Sequence, residues 1–325
     1  MTRSTQLENS YCKALVRALD AANVRFVRIM ALDVCGTVRC KMVTTEQIRR
    51  TMSLNDHVSI VRVCIAGMPS YGDVPQTKSG LSAKGCDFLQ PDLSTFRILP
   101  YAKSSAVLLG NFVSSETRDL SDLCCRGLLQ SIVTEAEEVF NLKFNVGAEI
   151  EFVLFEGASR KPVDRSLFGN TLTLNNQDDF ITDLYDQLVK QEIAVEQIHS
   201  ESAPGQLEVV LRYDNDPVNM VDSVVLAKET ICAVADKHGL RALFLPKIFS
   251  DRAGNGLHLH LSASSTSDGQ RANENEDVAQ IGGMAASLIE GILQHMGSLM
   301  ALSMPSSNSF RRVGPGCWTG STASW

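Results

Sequence analysis

Between Phe144 and Phe155 the chain alternates with a period of two. Phe144, Val146, Ala148, Ile150, Phe152 and Leu154 form one set, and Asn145, Gly147, Glu149, Glu151 and Val153 the other. Successive side chains of a β-strand point to opposite faces, so this pattern reads as a strand with one apolar face. Glu149 and Glu151 must then leave the other face in the same direction. The arithmetic recurs at Gln206–Arg212, where Leu207, Val209 and Leu211 oppose Gln206, Glu208 and Arg212, preceded by His199 and Glu201 across the tight segment 202–205. It recurs again at Gly256–Ser262, where Leu257, Leu259 and Leu261 oppose His258, His260 and Ser262, directly after the Gly254-Asn255-Gly256 loop. Three strands share one design.

A lone Glu-x-Glu is most often a solvated sheet face, because carboxylates are seldom buried unpaired. A lone His-x-His is more often packing or surface than ligand. Four glutamates (Glu149, Glu151, Glu201 and Glu208) together with His258 and His260, on faces that could share one cleft, favour a metal site. Hard oxygen and borderline nitrogen donors suit Mg²⁺ or Mn²⁺ better than a cysteine-based zinc centre. Two ions are expected, since four gathered negative charges would otherwise repel one another. The chain has neither G-x-x-x-x-G-K-[ST] nor G-x-G-x-x-G, so a bound nucleotide would be held by metal and side chains, with divalent ions bridging its phosphates.

The 325 residues suggest two domains and ample chain for a core. A net charge of -7 gives no basic footprint, which disfavours nucleic acid and anionic membrane as partners. No apolar run approaches the ~18 residues of a membrane span, and the start MTRSTQLENSYCK lacks the apolar core of a secretory signal. The expected location is the cytoplasm. Nine cysteines, scattered from Cys12 to Cys317 without a C-x-x-C pair, predict reduced, mostly buried thiols rather than a disulfide framework or zinc ribbon.

Along the chain, a helix over Tyr11–Ala22 and β-rich runs at 24–30, 37–43 and 58–65 predict a small α+β unit. Residues 67–91, rich in Gly, Pro, Ser and Asp, predict a long loop. A strand at 106–109, a helix at 119–140 and then alternating strands and helices follow, so the domain boundary is expected near residue 105, giving domains 1–105 and 106–325. One core helix is well punctuated: Asp216 caps it, Pro217 occupies its first position, Val218, Val221, Val225 and Ile231 fall near one face, and Gly239 ends it. The polar stretch Ser264–Asp277 reads as a surface loop.

Four strings, GAEIEFVLFE, HSESAPGQLEV, FLPKIFSDRAGNGLHLHLS and PSSNSFRRVGPG, occur in the order of the signature regions of the glutamine synthetase family and closely resemble them. GMPSYGD, PDLSTFRILPY and RRVGPGCWTG resemble the divergent branch of glutamine-synthetase-like proteins that fungi and plants fuse to amidohydrolase-like domains. The resemblance covers essentially the whole chain. It implies an α+β fold: an N-terminal β-grasp domain, then a catalytic domain built on a curved antiparallel sheet backed by helices. It places Glu151, Glu201 and Glu208 on one metal ion and Glu149 and His258 on another. It puts His260 and Ser262 near the ATP phosphates, Gly254 near the substrate glutamate, and Arg312 near that substrate's carboxylate. The activity it implies is an ATP-dependent carbon–nitrogen ligation, in which the γ-carboxylate of glutamate is phosphorylated and ammonia then displaces phosphate. A homo-oligomeric ring with active sites between subunits is implied as well.

The resemblance also marks departures. It stops at Trp325, where the family continues with an arginine-rich segment carrying phosphate-binding arginines and a last metal-ligating glutamate, so the catalytic domain is expected to be C-terminally incomplete. The family's flap glutamate aligns with Trp318, and its acidic ammonium-site residue with Ala66. An amine larger or less charged than ammonium, giving a γ-glutamyl amide, is therefore an open alternative to glutamine formation. A second alternative is a catalytically inactive glutamine-synthetase-like protein that binds metal or partners, or an incomplete gene product.

Overall fold

Two stretches of alternating β-branched and apolar residues separated by a tight turn open the first sheet. Strand β1 (Phe26–Leu32) pairs antiparallel with β2 (Val38–Thr44). The turn between them is closed by Asp33, whose Oδ1 accepts from the backbone N–H of Cys35 at 2.9 Å and of Thr37 at 2.8 Å. Gly36 supplies the left-handed residue with φ +75°. In this computed structural model the described residues are 3–54, 57–159, 161–165, 167–265, 283–314 and 317. Trp318 and residues 266–277 of the expected surface loop lie outside them.

The sheet continues with β3 (Val58–Val61), β4 (Cys86–Pro91), β5 (Arg97–Ile98) and β6 (Ser105–Ser114), in the order β2-β1-β6-β4-β3, with β5 on β6. β1 and β6 run parallel and the other pairings are antiparallel. A parallel pair needs a long crossover, which the intervening residues provide. Helices Arg3–Ala21 and Thr45–Leu54 contribute to the core beneath the sheet, where Leu15, Leu19, Ile29, Ile48, Leu108 and Phe112 are buried. This mixed sheet with its helices is the arrangement expected of a β-grasp domain.

Local detail differs from the sequence pattern in places. The run 58–65 is a short strand followed by a helical turn, Val63–Ala66, and the loop expected over 67–91 ends in β4. The strand that begins near residue 105 hydrogen-bonds into the first sheet, and the chain divides into compact units at Met1–Thr134 and Glu135–Trp325, within the helix Cys125–Phe140. The nine cysteines are thiols in no disulfide, and Cys124 alone of them is buried, which corrects the expectation of mostly buried thiols. Several fall on exposed strand or helix faces, where they behave as small surface side chains.

The second unit is built on β7 (Leu142–Glu156), 15 residues long. β9 (Gln206–Asp214) lies along one edge of it, with β8 (Val195–Ser200) beyond; the other edge is shared by β10 (Leu240–Leu243) and β11 (Leu257–Ser265). Every pairing is antiparallel. Ile150, Phe152, Leu154, Leu207, Val209 and Leu211 are buried, and the helix Pro217–Lys237 packs over β7, β9 and β10. Asp216 caps that helix by accepting from Val218 N at 2.9 Å and Asn219 N at 3.3 Å. On β11 the expected apolar row is not covered: among the described residues Leu257, Leu259 and Leu261 remain 46%, 62% and 46% exposed. β11 pairs with the opposite end of β7 from β10, and the backing helix packs on β10, β7 and β9. No helix among the described residues is long and apolar enough to cross a membrane.

Candidate active site

Strand register assembles the cluster. Glu151 of β7 stands opposite Glu208 of β9, which stands opposite His199 of β8. One step along β7, Glu149 stands opposite His258 of β11. Side chains directly opposed across an antiparallel pair lie about 4.5–5.5 Å apart at Cβ, so two adjacent rows on one sheet face gather three glutamates and two imidazoles. Glu201 joins from the segment between β8 and β9, where Glu201 N donates to Gln206 O at 2.8 Å.

These groups line a cleft of about 310 Å³ that also includes Gly254 and Arg312. His199 Nε2 lies 3.0 Å from Glu208 Oε1, and its Nδ1 lies 3.6 Å from Glu201 Oε1. Glu149 meets both imidazoles of the H-x-H strand: His258 Nδ1 at 2.9 Å on one oxygen, His260 Nε2 at 2.8 Å on the other. Ser262 stands two register steps beyond His260, opposite Asn145, and is not part of the cleft wall. Arg212 does not line the cleft either; its Nε lies 3.8 Å from Glu196 Oε1, at a register shift where β9 carries an extra residue. That shift sets Tyr213 against Gly147 and edge-on to His260, with ring centroids 6.0 Å apart.

The charge balance separates the carboxylates. Burial, followed by the neighbouring Glu151 and Glu208, pushes the Glu201 carboxyl up to about 6. Burial and then the Glu149 charge raise Glu208 as well. Glu149 goes the other way: burial opposes its ionisation, but hydrogen bonds from His258 and His260, with the charge of the two imidazoles, together hold it below the usual carboxylate range. Carboxylates crowded until one resists ionisation form a set that a cation relieves.

Two sets of ligand atoms lie within 4.8 Å of one another: Glu149, Glu208 and His258, and His199, Glu201 and Glu208. Oxygen and imidazole donors in this number suit Mg²⁺ or Mn²⁺, and the shared Glu208 suits a pair of ions. His199 completes the second set, a part the sequence pattern did not assign to it; its even spacing from Glu201 is the signal in the sequence, and its position opposite Glu208 comes from strand register. Glu151, which the resemblance puts on the same ion, lines the cleft beside this set, opposite Glu208, and its Oε2 accepts from Gln206 Nε2 at 2.7 Å.

The Gly254-Asn255-Gly256 loop closes against this cluster. A Cβ at Gly254 would lie 2.3 Å from Pro246 O and 2.8 Å from Arg312 Cγ, and one at Gly256 would lie 2.6 Å from Glu151 Oε1. Only glycine permits these approaches. The PSSNSF segment is tied to the same region: Lys247 N donates to Asn308 Oδ1 at 2.8 Å, and Asn308 Nδ2 donates to Lys247 O at 2.9 Å. Ala66, the residue matched to the ammonium position, ends the helical turn Val63–Ala66 in the first unit. A hollow of about 430 Å³ in that unit, against His57, Phe88 and Arg118, has among the described residues no carboxylate in its lining and no ligand cluster.

The family model of the glutamine synthetase catalytic domain matches residues 122–325, well over half of the chain. The chain belongs to the glutamine synthetase family. It is 28% identical over 319 residues to the type-1 glutamine synthetase 1 of Dictyostelium discoideum, a match that covers 93% of this chain and 64% of that protein. It is 25% identical over 309 residues to protein fluG of Emericella nidulans, covering 92% of this chain and 33% of fluG, in accord with a divergent branch of the glutamine synthetase family. Among solved structures, the GmaS/ADP complex superposes with a TM-score of 0.78 at 25% identity, over 93% of this chain and 67% of GmaS. The chain therefore spans a little under two thirds of the length of the Dictyostelium glutamine synthetase.

Proposed function

We propose that this protein is an ATP-dependent carbon–nitrogen ligase of the glutamine synthetase type, joining ammonia or an amine to the γ-carboxylate of glutamate. The observation that carries the reading is the convergence of four glutamates and two histidines from β7, β8, β9, β11 and the 201–205 turn in one cleft beside Gly254 and Arg312. Family membership supports the same chemistry. A γ-carboxylate oxygen of glutamate attacks the γ-phosphorus of ATP and expels ADP. The amine nitrogen then attacks the acyl carbon, the C–O bond to phosphate breaks, and the nitrogen loses a proton. Two divalent ions, when bound, supply charge neutralisation at the transferring phosphoryl group.

The residues of the chain provide positioning and charge. Glu149, Glu208 and His258 would hold one ion, and Glu201 and Glu208 the other, with His199 or Glu151 beside them. His260 and Ser262 lie on the strand that would face the nucleotide phosphates. Gly254 offers a backbone that a ligand can approach closely, and Arg312 a cation for the carboxylate of glutamate. Ala66 in place of an acidic residue favours an amine larger or less charged than ammonium. A homo-oligomeric ring and a cytoplasmic location belong to the same reading.

The test is phosphate release from ATP with Mg²⁺ or Mn²⁺, dependent on both glutamate and a nucleophile, comparing ammonia with alkylamines. Glu149→Gln, Glu201→Gln and His258→Ala are each expected to abolish turnover. Turnover that survives all three changes would refute the site, and turnover with ammonia alone would refute the amine preference.

A further inference from the structure

Gln206 is almost wholly buried, at 1% exposure, and its carboxamide has only one orientation that satisfies its surroundings. The backbone N–H of Ala203 donates to Oε1 at 2.8 Å, which fixes the oxygen. Nε2 therefore turns to three acceptors: Glu151 Oε2 at 2.7 Å, Asn255 Oδ1 at 3.0 Å and Gly254 O at 3.1 Å. Two N–H bonds are shared among the three. Asn255 is fixed in the same way, since its Nδ2 donates to Leu243 O at 3.1 Å and Leu245 O at 3.0 Å, leaving Oδ1 to face Gln206. Asn255 N also donates to Pro246 O at 2.9 Å. One buried amide thus joins a carboxylate of the cluster to the loop that approaches the cleft.

We infer that Gln206 is a positioning residue that couples divalent-ion binding at the glutamate cluster to binding of the amino-acid substrate at the Gly254-Asn255-Gly256 loop. The inference rests on the proposed function and adds to it a route between the two ligands. An ion that draws Glu151 toward the cluster changes the claim of that carboxylate on the shared N–H groups, and the loop acceptors gain or lose what Glu151 gives up. Substrate ordering the loop acts on Glu151 along the same bonds. Coupling of this kind is reciprocal, so either ligand changes the affinity for the other by the same factor. The loop also meets the strand directly, since Glu151 N donates to Gly256 O at 3.4 Å, and a Cβ at Gly256 would lie 2.6 Å from Glu151 Oε1, so only glycine fits between loop and carboxylate.

The experiment is a titration of the whole chain with MnCl₂, followed by calorimetry or the electron paramagnetic resonance of free Mn²⁺, with and without saturating L-glutamate. It is done for the unaltered protein and for Gln206→Met, which keeps length and burial but donates nothing. In the unaltered protein glutamate is expected to tighten Mn²⁺ at least several-fold. In Gln206→Met that factor is expected to fall to near one, with Mn²⁺ affinity itself weakened roughly 10–100-fold, the usual effect of removing a hydrogen-bond partner of a ligand. A merely structural role would weaken Mn²⁺ without changing the factor, and an unchanged factor overturns the inference. Mn²⁺ and glutamate that bind the unaltered protein independently also overturn it, while leaving the proposed function standing. Failure of the unaltered protein to bind either one overturns both. If Gln206→Met does not fold, Asn255→Ala removes the loop end of the same tie without touching Glu151, and it must abolish the same factor.

Discussion

At the scale of single residues, the cluster is governed by how much negative charge one sheet face tolerates. Glu201, pushed up to about 6 from an ordinary value of 4.5, holds its proton in the folded protein under conditions where the unfolded chain has released it. The folded state thus binds more protons over that interval, and stability falls as pH rises from about 4.5 through 6. Glu201→Gln removes this slope. The metal-free variant is expected to lose less melting temperature than the unaltered protein between pH 4.5 and 6.5, with the two flattening together above that range. Identical slopes in both proteins would mean that Glu201 is not the group under stress. Ion binding has the opposite pH dependence, because the carboxylate must be deprotonated to serve as a ligand.

At the scale of elements, the period-two pattern carried most of the information. β7, β9 and β11 lie where the alternation put them, and Glu149, Glu151, Glu208 and His258 share the face it assigned to them. The pattern did not show which strand neighbours which, so the pairing of His199 with Glu208 emerged only from register. It also did not show which apolar rows acquire a cover, because that depends on the reach of a helix packed from elsewhere in the chain. Leu207 and Leu259 have the same sequence signature and opposite surroundings, at 0% and 62% exposure. Leu207→Ala is expected to cost about 2–5 kcal/mol, whereas Leu259→Ser is expected to change stability by no more than ~0.5 kcal/mol. Urea unfolding of the two variants checks this, and equal losses would mean that the β11 face is packed after all. The short helix Val63–Ala66 was hidden for a related reason: its β-branched and apolar residues fit a strand locally, and context decides.

At the scale of the whole molecule, the chain has two compact units, and the carboxylate and imidazole cluster found among the described residues lies in the unit 135–325. A ligand that binds only the folded state stabilises it by RT ln(1 + [L]/Kd), about 2.7 kcal/mol at a hundredfold excess over Kd. Scanning calorimetry with rising Mn²⁺ is expected to move the transition of the second unit upward and leave that of the first in place. A single transition moving as a whole would mean that the units unfold together. The resemblance supplied the β-grasp and catalytic readings, and a small α+β unit followed by a second set of strands and helices was foreseeable in outline from the pattern. The point of division was not, since the helix Cys125–Phe140 runs through it without a break in pattern.

The register of β7 against its neighbours has one more consequence. A slip of a single residue turns every side chain of a strand to the opposite face, so Glu149 and Glu151 would enter the core and Ile150 and Phe152 would take their place in the cleft. Oxygen and nitrogen donors from β7, β8, β9 and β11 come together only when all these strands are in register at once. A divalent ion held at this cluster, as proposed, would therefore act as a proofreader of assembly: it would have high affinity only for correctly threaded molecules and would draw the population of newly folded chains toward them.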